Sequence, residues 1–197
     1  MYEELRDQGL VVISVAVDRS ADAARPWIDA AHPTHPSLVD IRHRLADLYN
    51  MVNVPTVVWI DERGKIARPN DVAFGTDTFR HITGIQAATH QDALRGWVRG
   101  ELPVMSDDEV RALQSLPTES DQAARAEFGL GQWLHEQGRA ASAARHFVAA
   151  GELAPHDFMI RRGTMPMRGI DPMGPEFRSM ILAWGAAGNA YYRPLPG

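Results

Sequence analysis

The hydrophobic pattern changes period several times along the first hundred residues, and each change marks an element. Tyr2 to Gln8 fits the end of a helix, with Gly9 at the position where a left-handed residue closes the last turn. Leu10 to Val17 is a near-continuous apolar run. Its length and flanks predict a central parallel strand buried on both faces. Asp18-Arg19-Ser20 closes the run, and Ser20 is placed to cap a helix from Ala21 to Ala31. Pro26 falls inside that helix, so the helix either kinks there or starts near Arg25. His32-Pro33-Thr34-His35-Pro36 is a rigid loop, Ser37 to Val39 a second strand, and Ile41 to Asn50 a helix. Leu45, Leu48 and Tyr49 give that helix an apolar stripe. Val57 to Asp61 is β-branched and aromatic, a strand entered through Val54-Pro55-Thr56. Glu62-Arg63-Gly64-Lys65 is a tight turn, and Ile66-Ala67 begins the returning strand. Arg68 to Thr89 is long for a structureless connection, which predicts a short strand or helical turn around Thr78 to Ile82. A helix from His90 to Arg99, with Leu94, Trp97 and Val98 on one face, precedes the break at Glu101-Leu102-Pro103.

The second half changes character. Ser106 and Glu109 form a capping box for a helix from Asp107 to Leu116, and Pro117 to Ser120 is a break. Two Ala-rich helices follow, Ser120 to Gln137 and Arg139 to Leu153, joined at Gly138. Phe158 to Gly163 is a short helix, Thr164 to Pro175 a Pro/Gly/Met loop, Glu176 to Ala187 a last apolar helix, and Tyr191 to Pro194 a tail. Leu130-Gly131, Leu134, Gly138, Ala143, Phe147, Ala150 and Pro155 resemble one tetratricopeptide repeat, near 122–155, with Glu127 where that family carries an aromatic. The resemblance implies that Leu130, Leu134, Phe147 and Ala150 are buried between two antiparallel helices. A lone repeat cannot bury its outer faces, so it should dock on the rest of the chain or on another subunit.

The order of motifs before residue 100 carries a second resemblance. Pro36, Leu38 and Asp40 form a "P-x-L-x-D" strand. One helix later come Val52-Asn53-Val54-Pro55-Thr56, an apolar strand, and Asp61 to Ile66 as "D-x-x-G-K-I". The set resembles the thioredoxin-like superfamily, in particular TlpA/ResA-like thiol-disulfide oxidoreductases and the related peroxiredoxins. It implies an α/β fold: a thioredoxin-like mixed sheet lacking its first strand and redox loop, followed by an α-helical C-terminal region. The domains expected are 1–102, a partial thioredoxin-like domain, and 103–197, the helical region. The resemblance also implies a cis peptide before Pro55. Met1 falls inside the helix that follows the family's active-site loop. The chain therefore reads as either an N-terminally incomplete protein, its start set downstream of a Cys or selenocysteine codon, or a degenerate domain.

Composition narrows the function classes. The formal net charge is −5, which disfavours nucleic acid and anionic membranes as partners. Lys65 is the only lysine, and there is no cysteine, so this chain has no disulfide, thiolate nucleophile or Cys-ligated zinc. No apolar run approaches the ~20 residues of a membrane span, and no signal peptide opens the chain. As written it reads as cytoplasmic, an extracytoplasmic place staying open if a segment precedes Met1.

The candidate chemistry is sparse. The thioredoxin-like resemblance assigns Val54, Pro55 and Thr56 to substrate binding, through backbone pairing with an extended substrate; the alternative is a turn that the fold requires. It supplies no catalytic residue and no cofactor. His32, His35 and His43 are weighed as metal ligands or as solvated loop histidines, the second fitting better because no further ligand is evident. Asp18 is an electrostatic site residue or a turn residue. Arg161, Arg162 and Arg168 form an anion site or a basic loop paired with local carboxylates. Met165, Met167 and Met173 form a soft-metal site or gap-filling contacts. Two functions remain. One is a redoxin whose redox residue is absent from this chain, acting on a protein or small-molecule disulfide or peroxide. The other is a non-catalytic protein-binding module built on the thioredoxin-like fold and the helical repeat. A dimer through the helical region is a further expectation.

Overall fold

Among the described residues, four side-chain oxygens open helices, and each does so by accepting an otherwise orphaned backbone N–H. Ser20 accepts from Ala23 N at 3.2 Å, Ser106 from Glu109 N at 3.3 Å, Thr118 from Asp121 N at 3.2 Å, and Asp157 from Ile160 N at 3.0 Å. The Ser106–Glu109 and Thr118–Asp121 pairs are complete capping boxes. The computed structural model describes residues 1–192, without the side chain of Ile82, and Leu195. Arg193 and Pro194 of the expected tail lie outside the described residues.

The elements in order are α1 (Tyr2–Leu5), a 3₁₀ turn (Arg6–Gln8), β1 (Ser14–Ala16), α2 (Ala21–Ala31), β2 (Ser37–Val39) and α3 (Arg44–Leu48). Then come β3 (Val57–Ile60), β4 (Ile66–Asp71), a 3₁₀ turn (Asp77–Phe79), α4 (Arg80–Thr83), α5 (Ala87–Val98) and α6 (Asp107–Leu113). The last are α7 (Glu119–Glu136), α8 (Ala140–Leu153), α9 (Phe158–Gly163), a 3₁₀ turn (Pro166–Arg168) and α10 (Pro175–Ala186). Helix α2 runs through Pro26 without a break in its span. The helical turn expected within residues 78–82 is present as the 3₁₀ turn and α4.

The expected α/β architecture, a thioredoxin-like mixed sheet, is not what forms. The described residues are mostly helical, and their strands make two separate two-stranded sheets, β1 with β2 in parallel and β3 with β4 antiparallel. The reason lies in Leu10 to Val17. A continuous apolar run signals burial on both faces, but burial needs neighbouring strands, and only three residues of this run pair, all with β2. Val11 is 75% exposed and Ile13 58%. Without a strand bridging β1 and β3, no mixed sheet closes. The stripe expected on the helix around residue 45 is also different. Leu48 points to solvent, and Ala46 is the buried residue of α3.

Two compact units divide the described chain. The first holds Met1–Ile41 and Pro55–Gln114. In it the β3–β4 turn is held by the Asp61 carboxylate, whose Oδ1 accepts from Arg63 N at 3.0 Å and Lys65 N at 2.9 Å. Those hydrogen bonds, the one from Lys65 foremost, hold its carboxyl below the ordinary range. Buried Trp59 of β3 packs on Trp97 of α5 with ring centroids 5.0 Å apart, under the Arg68 guanidinium at 5.4 Å. Arg95 of α5 reaches Glu4 of α1 at 2.9 Å.

The second unit holds Arg42–Val54 together with the described residues from Ser115 to Tyr192, whereas Leu195 belongs to the first. Helices α7 and α8 form an antiparallel hairpin around Ala124, Phe128, Leu134, Ala143, Phe147 and Ala150. Phe158, Met165 and Phe177 make a second cluster, against which Trp184 and Tyr191 pack. Gly131 is what lets the hairpin close. A Cβ built there would lie 2.6 Å from the Phe147 ring, which is itself buried. Gly131→Ala should therefore destabilise the chain. Helix propensity returns about 1 kcal/mol, but overpacking a full core costs about 1–3 kcal/mol. Gly129, with nothing within 4 Å of its built Cβ, is the control. Gly129→Ala should raise the urea midpoint, whereas Gly131→Ala should lower it.

Candidate functional site

Residues 42–54 lead into Val54, Pro55 and Thr56, the segment weighed as substrate-binding or as a turn that the fold requires. They form a strap on the helical unit. His43, a buried histidine with φ +54, stacks on Phe128 of α7 with ring centroids 4.8 Å apart. Arg125 of α7 pairs with the Asp47 carboxylate at 3.4 Å, donates to the Asp47 carbonyl at 3.4 Å, and reaches the Asn50 side-chain oxygen. Asn50 donates to the Ser115 carbonyl at 2.6 Å. The Val52 carbonyl accepts from Phe158 N at 2.7 Å and Met159 N at 3.2 Å. With Asp157 taking Ile160 N, the first three N–H groups of α9 are satisfied, two of them by the strap. Asn53 donates to the Tyr191 carbonyl at 2.9 Å.

The resemblance-derived substrate residues sit at the end of this strap. The Val54 carbonyl accepts from the Tyr192 hydroxyl at 3.0 Å, and its N–H donates to the Asn53 side chain at 2.9 Å. Both backbone groups that an extended substrate would pair with are thus engaged within the chain. Pro55 and Thr56 are half-buried and enter β3.

Buried acidity marks the same unit. Burial pushes the Asp157 carboxyl up to about 6, against the pull of its α9 hydrogen bonds and of Arg125. Burial also raises Asp121, but the Thr118 hydrogen bonds outweigh it and hold that carboxyl below its ordinary value. His156 lies 3.4 Å from Asp121.

The other side chains singled out in the sequence have structural employment. His32 ends α2 in a left-handed conformation, and His35 meets the Tyr2 ring edge-on at 5.5 Å. Asp18 accepts from Arg19 N at 2.7 Å and, with His35, lines a groove of about 510 Å³ between α2 and the β1–β2 pair. Arg161 lies over the Phe158 ring at 5.3 Å, and Arg162 over the Phe177 ring at 4.7 Å. Arg162 also donates to the Pro172 carbonyl at 3.1 Å and to the Met173 sulfur at 2.6 Å. These arginines are held by rings and carbonyls; the local carboxylates expected as their partners are not among these contacts. Met165 is buried and Met167 packs on the hairpin core. Among the described residues, no group of three or more His, Asp or Glu is arranged to hold a metal, and no helix is long and apolar enough to cross a membrane.

One surface has no such employment. Leu130, expected inside the hairpin, is 43% exposed, and Trp133 is 51% exposed. They share a face of α7 with Ala123 and Ala126, all exposed, at alternating spacings of four and three residues. The buried face of α7, with Ala124, Phe128 and Gly131, lies opposite. An apolar stripe on each side of one helix is the pattern of a helix covered twice. The spacing of Ala123, Ala126, Leu130 and Trp133 was legible in the sequence, but the repeat-like pattern drew attention to the inner face alone. No family model, no curated protein and no solved structure matches this chain.

Proposed function

We propose that the chain is a non-catalytic protein-binding module whose contact surface is the outer face of α7. The observation that carries this reading is the pair Leu130 and Trp133, exposed on a helix whose other side is already packed. Tryptophan is among the residues most enriched in binding hot spots, and Leu130 extends the apolar surface beside Trp133. The hairpin behind them is held by its buried core and by the strap's contacts through His43 and Asp47. Site-specific photo-crosslinking in cells tests the reading. A benzophenone side chain in place of Trp133 should form a protein adduct, whereas one at exposed Arg145, off this stripe, should not. Equal labelling from both positions, or none from position 133, removes the proposal.

A second reading, thiol-disulfide chemistry of the redoxin type, rests on the β3–β4 hairpin entered through Pro55 and on the order of motifs around it. It requires a redox-active residue from outside these 197 residues, since they include no cysteine. Its test is reduction of insulin disulfides by a longer open reading frame containing such a residue, with this chain alone as the blank. Equal rates for the two would remove it.

A further inference from the structure

We infer that the occupant of the outer α7 face is a second copy of this chain, packed antiparallel across a two-fold axis near Gly129. The inference rests on the binding reading above and names its partner. Three features of the face point to self-pairing.

The first is shape. Along the exposed stripe Glu119, Ala123, Ala126, Leu130, Trp133 and Gln137 follow one another, so the N-terminal half is small and the C-terminal half is large. An antiparallel pair centred near Gly129 sets Trp133 of each copy opposite Ala126 of the other, and brings the two Leu130 side chains together across the axis. The two largest side chains of the stripe then each meet an alanine, on either side of a central leucine pair, and helix axes so packed lie about 8–10 Å apart. A parallel pair would set Trp133 against Trp133 and leave the alanines facing each other across a gap.

The second is charge. Glu119 begins α7 and Arg139 stands in the turn just beyond its end; both are exposed, and neither forms an ion pair within the described residues. About the same centre, Glu119 of each copy falls beside Arg139 of the other, twice over by symmetry. Parallel packing would bring like charges together. Antiparallel packing also sets the positive end of each helix dipole against the negative end of its neighbour.

The third is that the surface complements itself. An isologous interface needs one patch that matches its own two-fold image, and this stripe does so in both volume and charge. Its extent is modest. A single helix face buries less than the ~1,200–2,000 Å² of a standard stable interface, so association should depend on concentration.

Sedimentation equilibrium of the purified chain over a wide concentration range tests the inference. The mean mass should rise from that of one chain toward twice that value. Trp133→Glu should hold it at one chain throughout, with an unchanged far-ultraviolet circular dichroism spectrum as proof of folding. Glu119→Arg and Arg139→Glu should each weaken association several-fold, and the double variant should restore it. A one-chain mass at every concentration overturns self-pairing. If position 133 still crosslinks to a different protein, the binding reading stands without it. Self-association that survives Trp133→Glu, or a double variant no better than the singles, overturns the antiparallel α7 pair.

Discussion

Phe147→Ala should cost the folded chain about 3–5 kcal/mol, the largest effect of any single truncation in the helical unit. Its ring is fully buried at the centre of the hairpin, with Phe128 at 6.2 Å between centroids and Gly131 directly against it. Neighbours that collapse readily lower the cost of a cavity. Here they are the backbones of two helices held together at Gly138 and by the Ser120 hydroxyl, which donates to the Leu153 carbonyl at 2.7 Å. The site therefore relaxes little, and the loss should fall in the upper part of that range. Urea unfolding followed by circular dichroism measures it. A loss below about 1 kcal/mol would mean that the hairpin does not pack as described, and would remove the tetratricopeptide-like reading.

Raising the pH from about 4 to about 7 should weaken the second unit through Asp157. Its carboxyl is raised by burial from 3.8 to about 6, so between those values the folded chain binds a proton that the unfolded chain has released. The stabilisation from the protonated form is complete below the unfolded value and is lost as pH rises through the folded one. The loss is on the order of 3 kcal/mol. Arg125 favours the charged form and Asp47 opposes it, but burial outweighs both. Asp157→Asn is the informative variant. An amide oxygen can still accept from Ile160 N, so the cap on α9 survives while the ionisation is gone. The difference in urea midpoint between wild type and variant should grow from acid to neutral pH, in favour of the variant. Parallel pH profiles for the two proteins would show that Asp157 does not titrate as described.

The legible parts of the sequence were those whose signals are local. Ser20, Ser106 with Glu109, and Gly64 in the turn from Glu62 to Lys65 each announce a cap or a turn within four residues, and each is found doing so; that Asp61 holds the turn was not read. The expected bounds of α8 and α9 also match those observed to within one residue, although α8 has no side-chain cap. Leu10 to Val17 misled because an apolar run states that burial is favourable without stating what covers it. Leu130 misled for the converse reason. The repeat-like pattern marks its position as apolar without stating on which side of α7 it falls, and it falls on the side away from α8.

The candidate surface was half legible. Local pattern in the chain was enough to place where most helices begin and to show that no thiol is available for chemistry within it. Which side of α7 is covered follows from the packing of α8 against it, and the apolar residues on its other side show as a surface once that packing is known. Only the tertiary structure decided that residues 42–54 belong with helices far along the chain. The Val52 carbonyl completing the start of α9, and Arg125 holding Asp47 and Asn50, are bonds between segments that no local pattern connects. The physical reason is one of range. Caps and turns are settled by hydrogen bonds within a few residues, whereas the choice of which apolar face to cover, and with what, belongs to the whole chain.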